Sequence, residues 1–358
     1  MLLKRRPIYS LKRRRRLSVE WRQVFYVGMA MASLGILAVY DAIAHAPGSP
    51  KKQSGQYSQR QRASVAAAAT AKSKPKQAAA PAAQSTIVAG GFATAAAWEQ
   101  DFSKMPDGPV DANYWTPDTN PDVPTFNQEA QAYQPGNSAV QGGKLVITAR
   151  KGQTTYPGDS RSYAYSSGKI MTFNHNTGAS LPKGLTFEYG RIEASIKMPP
   201  GSGTWPAFWL LSANQPNTGR LNPTDADWDQ PRFYMHDGEI DIVEHYGSNN
   251  TTDATFYTFD KTSESEVTVP DAEQKFHTYS VDITPTAVTW KIDGQTVKTA
   301  PKPANATANN WPVGGGNKWF AMLNLAMGGT GGGAIDDSKG PWRMEVANVR
   351  YFAYAGGQ

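Results

Sequence analysis

GEIDIVEH, residues 238–245, places three carboxylates and three aliphatic side chains within eight positions. In an extended chain, residues two apart face the same side, so Glu239 and Asp241 point together. Glu244 is five positions from Glu239, an odd step that an unbroken strand would turn to the opposite face. One extra residue at Ile242–Val243, a β-bulge, returns Glu244 to the side of Glu239. Ile240 and one of Ile242 and Val243 then enter a core. The two glutamates are effectively four strand positions apart, about 13 Å between Cα atoms at ~3.3 Å per residue. Their side chains reach toward each other over Asp241. A carboxyl separation of about 5–5.5 Å, the spacing used in retaining glycoside hydrolysis, is within that reach. Three crowded acids cannot all stay ionised, so at least one pKa must rise, which supplies the protonated acid such chemistry needs. Carboxylate oxygens also suit Ca²⁺ or Mg²⁺, and an acidic strand face can simply be solvated. On local physics alone these readings stand level with a glycosidase.

Outward from this stretch, short alternating segments dominate from about Thr94 onward: LVITAR (145–150), YGRIEASIKM (189–198), HTYSVDI (277–283), AVTWKID (287–293), KWFAMLNLAM (318–327) and MEVANVRYF (344–352). Turn signals such as Pro199-Pro200-Gly201, Asp293-Gly294 and Gly328-Gly329 separate them. No amphipathic helix longer than two turns is visible. Many strands at this spacing predict an all-β antiparallel sandwich or barrel.

The N-terminal quarter has a different composition. Residues 1–23 hold KRR at 4–6 and KRRRR at 12–16, and an apolar run follows at 24–40. With Ala42–Ala44 that run is long enough to span about 30 Å of hydrocarbon, and its N-terminal basic flank predicts an N-in orientation. Ala44-His45-Ala46 could be a cleavage site, so residues 24–46 read as a signal anchor or a signal peptide. Residues 47–93 are Ala-, Lys- and Pro-rich, a linker expected to be disordered. The folded domain is expected over 94–358. Lys/Arg outnumber acids sixteen to two in the first 90 residues, a net +14, so the total of +6 leaves −8 for 91–358. An acidic folded part argues against nucleic-acid binding. The absence of cysteine excludes disulfide scaffolds, Cys-ligated zinc and thiol nucleophiles.

The motif at 239–244 resembles the bulged E-x-D-x-x-E active-site motif of glycoside hydrolase family 16, and further segments follow in that family's order. Asn127–Tyr133 resembles its N-x-E-x-Q-x-Y segment, and Gly143–Ala149 its G-x-L-V-I-x-A strand. Ser167–Ile170, Tyr189–Ala194, Gly203–Leu211, Phe276–Tyr279, Trp290–Gly294 and Leu323–Gly329 complete the series, from about Phe102 to Phe352.

The resemblance implies a concanavalin A-like β-jelly-roll of two packed sheets whose concave face is a sugar cleft. It also implies roles: Glu239 as nucleophile, Asp241 as the residue that holds it, and Glu244 as acid/base. Trp205 is expected as a cleft platform and Trp209 in the core, while Trp115 could be either. Glu129 is expected at the cleft rim and Asn324 beside the acid/base. Arg191 reads equally as a cleft residue or, with Glu193, as a surface ion pair. His245 reads as a packing residue. No cofactor is expected. The family's structural calcium commonly uses an Asp in the last strand, and Ala347 stands there, which puts that calcium in doubt. Thr330 and Gly331–Gly333 stand where a tryptophan often follows the Gly-Gly pair. A long insertion, 212–237, precedes the catalytic strand and is expected to wall the cleft.

The substrate expected is a β-1,3- or mixed β-1,3/1,4-glucan, or an exopolysaccharide of the producing cell. The alternatives are a membrane-anchored glycan-binding protein and a transglycosylase on the same fold. A monomer is expected, in the cell envelope, held by residues 24–44 if uncleaved and periplasmic or secreted if cleaved after Ala46.

Overall fold

The computed structural model of the chain describes residues 87–88, 91–119, 127–156, 160–214, 237–247, 251–258 and 262–356. Segments 1–23 and 24–46, most of the linker and nearly all of the 212–237 insertion lie outside the described residues. Among the described residues, no helix is long and apolar enough to cross a membrane.

Two sheets carry the fold. The seven-stranded one runs, in spatial order, Thr262–Thr268, Thr251–Tyr257, Glu239–Tyr246, Thr204–Ser212, Trp319–Met327, Lys169–Met171 and Thr116–Pro117. The larger sheet has eleven strands, among them Gln295–Pro301, Ala287–Ile292, His277–Ile283, Gly190–Lys197, Trp342–Ala353 and Lys144–Thr154 in that order. Every pairing in the seven-stranded sheet is antiparallel. Short strands at Gln131–Tyr133 and Tyr163–Ser167 pair in parallel at the edge of the larger sheet.

Alternation decides which face of each strand is covered. Along Gly190–Lys197 the buried residues are Gly190, Ile192, Ala194 and Ile196. They meet Phe208, Leu210, Ile240 and Phe256 of the other sheet in one apolar core with Trp290, Trp319 and Trp342. Each large apolar side chain so removed from water contributes about 1.5–3 kcal/mol, and this fixes the register, because a one-residue slip would turn each set to solvent. Trp319–Met327 is buried along all nine residues, as befits a strand near the middle of its sheet.

The strand at 277–283 has the expected ends, and the other expected strands shift by one to four residues. Two expectations need correction. The fold begins before residue 94: Phe92 and Ala93 are buried, and the Phe92 ring packs edge-on against Tyr354 at 5.4 Å. Both Ile242 and Val243 enter the core, because the bulge turns the two consecutive side chains inward.

Candidate active site

The bulge lies where the odd spacing of the acids requires it. Against Thr204–Ser212, Glu239 pairs with Leu211, Asp241 with Trp209, and Glu244 with Ala207, with the register shifting past Ile242. Against Thr251–Tyr257, Glu239 pairs with Tyr257, Asp241 with Thr255 and Glu244 with Asp253. Cross-strand partners share a face. The three carboxylates therefore stand with Trp205, Trp209 and Tyr257 on the face turned away from the core. Gly238 sets the strand's start: its φ is +88°, and a Cβ there would lie 2.5 Å from Pro312 and 2.9 Å from Trp319.

Glu239 and Glu244 are half-buried, and Asp241 is 2% exposed. The Glu239 and Asp241 carboxyls are within hydrogen-bonding reach of each other. Burial pushes the Asp241 carboxyl well above the usual carboxylate range, and the charges of Glu239 and Glu244 push it further. A protonated Asp241 donates to Glu239, which counters the upward push that burial also exerts on Glu239. Burial raises Glu244 as well, and the charges of Glu239, Asp253 and Glu264 act in the same direction. Opposing them, the indole Nε1 of Trp205 donates to Glu244 Oε1 at 2.9 Å. The arrangement can hold one carboxylate charged and a neighbour protonated near neutral pH, the condition for paired nucleophilic and acid work.

A second network runs beside the first. Trp209 Nε1 donates to Asn324 Oδ1 at 2.7 Å, Asn324 Nδ2 to the Tyr133 hydroxyl at 3.1 Å, and that hydroxyl to Glu129 Oε2 at 3.3 Å. Gln131 and Asn127 also donate to Glu129. The Lys169 ammonium lies 4.9 Å over the Trp209 ring and pairs with Asp118 at 2.8 Å. Lys169, Asn324, Ala207 and Glu244 occupy one row across four strands.

These positions revise several expectations. Trp209 faces the open side, four residues from Trp205 and on the same parity, while Trp115 is the core residue at 1% exposure. Trp205 bonds the acid, and one face of its ring is covered: a Cβ on Gly331 would lie 2.5–2.7 Å from three ring atoms. Glu129 accepts three hydrogen bonds from its own segment, so it anchors Tyr133 and Gln131 instead of standing open at the rim. Arg191 is not in this site. It lies on the outer face of the larger sheet, pairs with Asp282 and stacks on Phe92, because the alternation that buries Ile192 turns it outward. Glu193 pairs with Arg350, not with Arg191. Asn324 lies in the row of Glu244 with Ala207 between them, its side chain bonded to Trp209 and Tyr133, and His245 is fully buried.

Sequence reasoning missed Lys169, Asp118, Tyr133 and Trp290. Lys169, Tyr133 and Trp290 sit inside quoted segments, but their partners are remote in the chain. The residues around Ala347 do not fit a calcium ion. A methyl group offers no ligand, the nearby Glu345 is committed to Lys144 and Lys197, and no group of three or more His, Asp or Glu side chains that could hold a metal occurs among the described residues.

A family model described as glycosyl hydrolases family 16 matches residues 148–340, just over half of the chain. The chain belongs to glycosyl hydrolases family 16. As a family 16 glycoside hydrolase it is similar to a beta-glucanase of Rhodothermus marinus, 28% identical over 244 residues that cover 64% of this chain and 75% of that one. It is also 28% identical to the endo-1,3-1,4-beta-glycanase EglC of Rhizobium meliloti, over 69% of this chain but 48% of the relative's length. Among solved structures, the R. marinus laminarinase aligns with a TM-score of 0.59 at 28% identity, covering 72% of this chain and 97% of that one. SCLam, a non-specific endo-beta-1,3(4)-glucanase, aligns at 0.61 and 28% identity, covering 76% and 94%. The all-β sandwich of two sheets is therefore that of the family 16 laminarinases.

Proposed function

We propose that the chain is an endo-acting, retaining β-glucanase that cleaves β-1,3- or mixed β-1,3/1,4-glucan. The observation that carries this reading is the bulge at Ile242, which gathers Glu239, Asp241 and Glu244 on one open face beside Trp209. In the first step the Glu239 carboxylate attacks the anomeric carbon and Glu244 gives its proton to the departing glycosidic oxygen. A glycosyl ester on Glu239 results. In the second step Glu244, now ionised, takes a proton from water, whose oxygen attacks the anomeric carbon and releases Glu239. Asp241 holds Glu239 by its hydrogen bond throughout. Trp209 offers a flat apolar face for a pyranose ring, fixed in plane by Asn324 and backed by Lys169.

The activities named for the relatives above support the glucan as substrate. The basic and apolar N-terminal segments support a place in the cell envelope, near the producing cell's own surface polymers. Mass spectrometry of the mature N-terminus separates the two forms: a start at Pro47 means cleavage after Ala46, and a retained 24–46 segment means an anchor.

The test is reducing-end release from laminarin, lichenan and barley β-glucan, with NMR of the first-formed anomer and Glu239→Gln as control. Turnover with a β-anomer product, lost in the variant, is expected. Wild-type turnover by Glu239→Gln would falsify the assignment.

A further inference from the structure

The Gly329–Gly332 turn stands where the family that the sequence resembles often has a tryptophan, and it lies against the candidate site at Glu129 and Trp205. Gly332 N–H donates to the Gly328 carbonyl and Gly333 N–H to that of Gly329, closing one short helical turn. Gly331 lies over the indole of Trp205. A Cβ built on it would stand 2.5 Å from Cε2, 2.6 Å from Cδ2 and 2.7 Å from Cζ2 of that ring. Those three atoms belong to the six-membered ring, so the backbone covers its flat face. Cε2 is bonded to Nε1, the atom that donates to Glu244. A side chain at 331 therefore strikes the part of the indole that carries the donor.

We propose that Gly331 is a positioning residue for Glu244: its bare backbone, pressed on the Trp205 ring, holds the Nε1 donor on the glutamate. The inference rests on the reading of Glu244 as the acid/base. The turn closes one side of the site, and it does so by fixing an indole already present.

The groups that face Glu244 show why a fixed donor matters. Glu239, Asp241 and Tyr246 come from its own strand, Asp253 and Tyr257 from the neighbouring strand, and Glu264 from the strand beyond. All are acids or phenols. Burial and the charges of Glu239, Asp253 and Glu264 favour the protonated form of Glu244, and the Trp205 donor favours the ionised form. The second step of the reaction needs that ionised form to take the water's proton.

The experiment is a pH–rate profile of kcat/KM on laminarin for the full chain, Trp205→Phe, Gly331→Ala and the double variant. Gly136→Ala is the control, because no heavy atom lies within 4 Å of a Cβ at that position. Loss of a charge-assisted bond should move the alkaline limb up by about one pH unit in both single variants. Phenylalanine drops Cζ2 and the outer part of the indole, and its smaller ring, tied to no acceptor, can turn away from the new methyl group, so the double variant relieves the clash that Gly331→Ala alone retains. Its limb should match that of Trp205→Phe, since neither change has a donor left to disturb. A Gly331→Ala limb that coincides with wild type overturns the proposal. So does a double variant whose limb lies further up than Trp205→Phe. Glu244→Gln is the separate check on the underlying reading. If that variant keeps both wild-type turnover and the alkaline limb, the acid/base assignment fails, whatever Gly331→Ala does.

Discussion

The indole Nε1 of Trp290 donates to the backbone carbonyl of Asp241 at 2.7 Å, joining the larger sheet to the bulge of the smaller one. Trp290 is fully buried, and the Lys298 ammonium lies 4.4 Å over its ring. Lys298 in turn donates to the carbonyls of Ala254 and Ser263, on the two strands beyond the bulge. The strand that carries the acids is therefore held from behind as well as along its edges. Trp290→Phe keeps most of the packing and removes the donor. It should cost about 1–3 kcal/mol in denaturant unfolding, the penalty for depriving a buried carbonyl of its partner. It should also lower kcat with KM nearly unchanged, since the open face is untouched. A variant that loses stability but keeps wild-type kcat would show that the bulge needs no support from the second sheet.

Glu244 also links activity to stability through pH. Its carboxyl is pushed above its unfolded value, chiefly by burial. Between those two values the native state keeps a proton that the unfolded chain has released, so stability falls as pH rises through that window. Glu244→Gln removes this penalty. The variant and wild type should melt together at about pH 4, where both forms of the carboxyl are largely protonated. The variant should melt higher at about pH 8 despite its lost turnover. Melting curves at the two pH values decide the matter, and equal displacement at both would rule out the linkage.

Lys169 and Asp118 form an ion pair with side chains only 4% and 7% exposed. Asp118→Ala strands the ammonium beneath Trp209 and leaves Asn176 without its acceptor. Removing one member of such a pair should destabilise by roughly 3–5 kcal/mol. Because Lys169 backs the proposed platform, KM for laminarin should rise more than kcat falls. Denaturant titration with steady-state kinetics tests both parts, and unaltered KM would remove Lys169 from the substrate argument.

The bulge was legible because an odd spacing and the need for convergent acids admit one local solution. The same parity argument, carried from Trp205 to Trp209, would have put both on the open face. Size and hydrophobicity pointed the other way, since most large aromatics in such strands are buried. The place of Arg191 stayed open between cleft and surface for a different reason. Which sheet a strand joins is a long-range fact, and a local motif carries no trace of the Asp282 it meets. The partnership of Lys169 and Asp118 was equally hidden, because 51 positions separate them in the chain. The start of the fold was misjudged because Phe92 is a single aromatic at the end of an Ala-rich stretch, and its partner Tyr354 lies near the far end of the sequence.

Ile242 acts as a counting device. Strands conserve parity, so two side chains share a face only when an even number of steps separates them, and the bulge at this residue absorbs the one step that makes five count as four. Changes to the strand in twos would leave the acids in company. Deleting this one aliphatic residue, which carries no charge, would leave the glutamates four steps apart in an unbroken strand, still on one face. Inserting one residue beside it without a second bulge would place one of the two glutamates among the core hydrophobics. The segment can thus lose the residue at its bulge and keep its acids together, but it cannot gain one beside it.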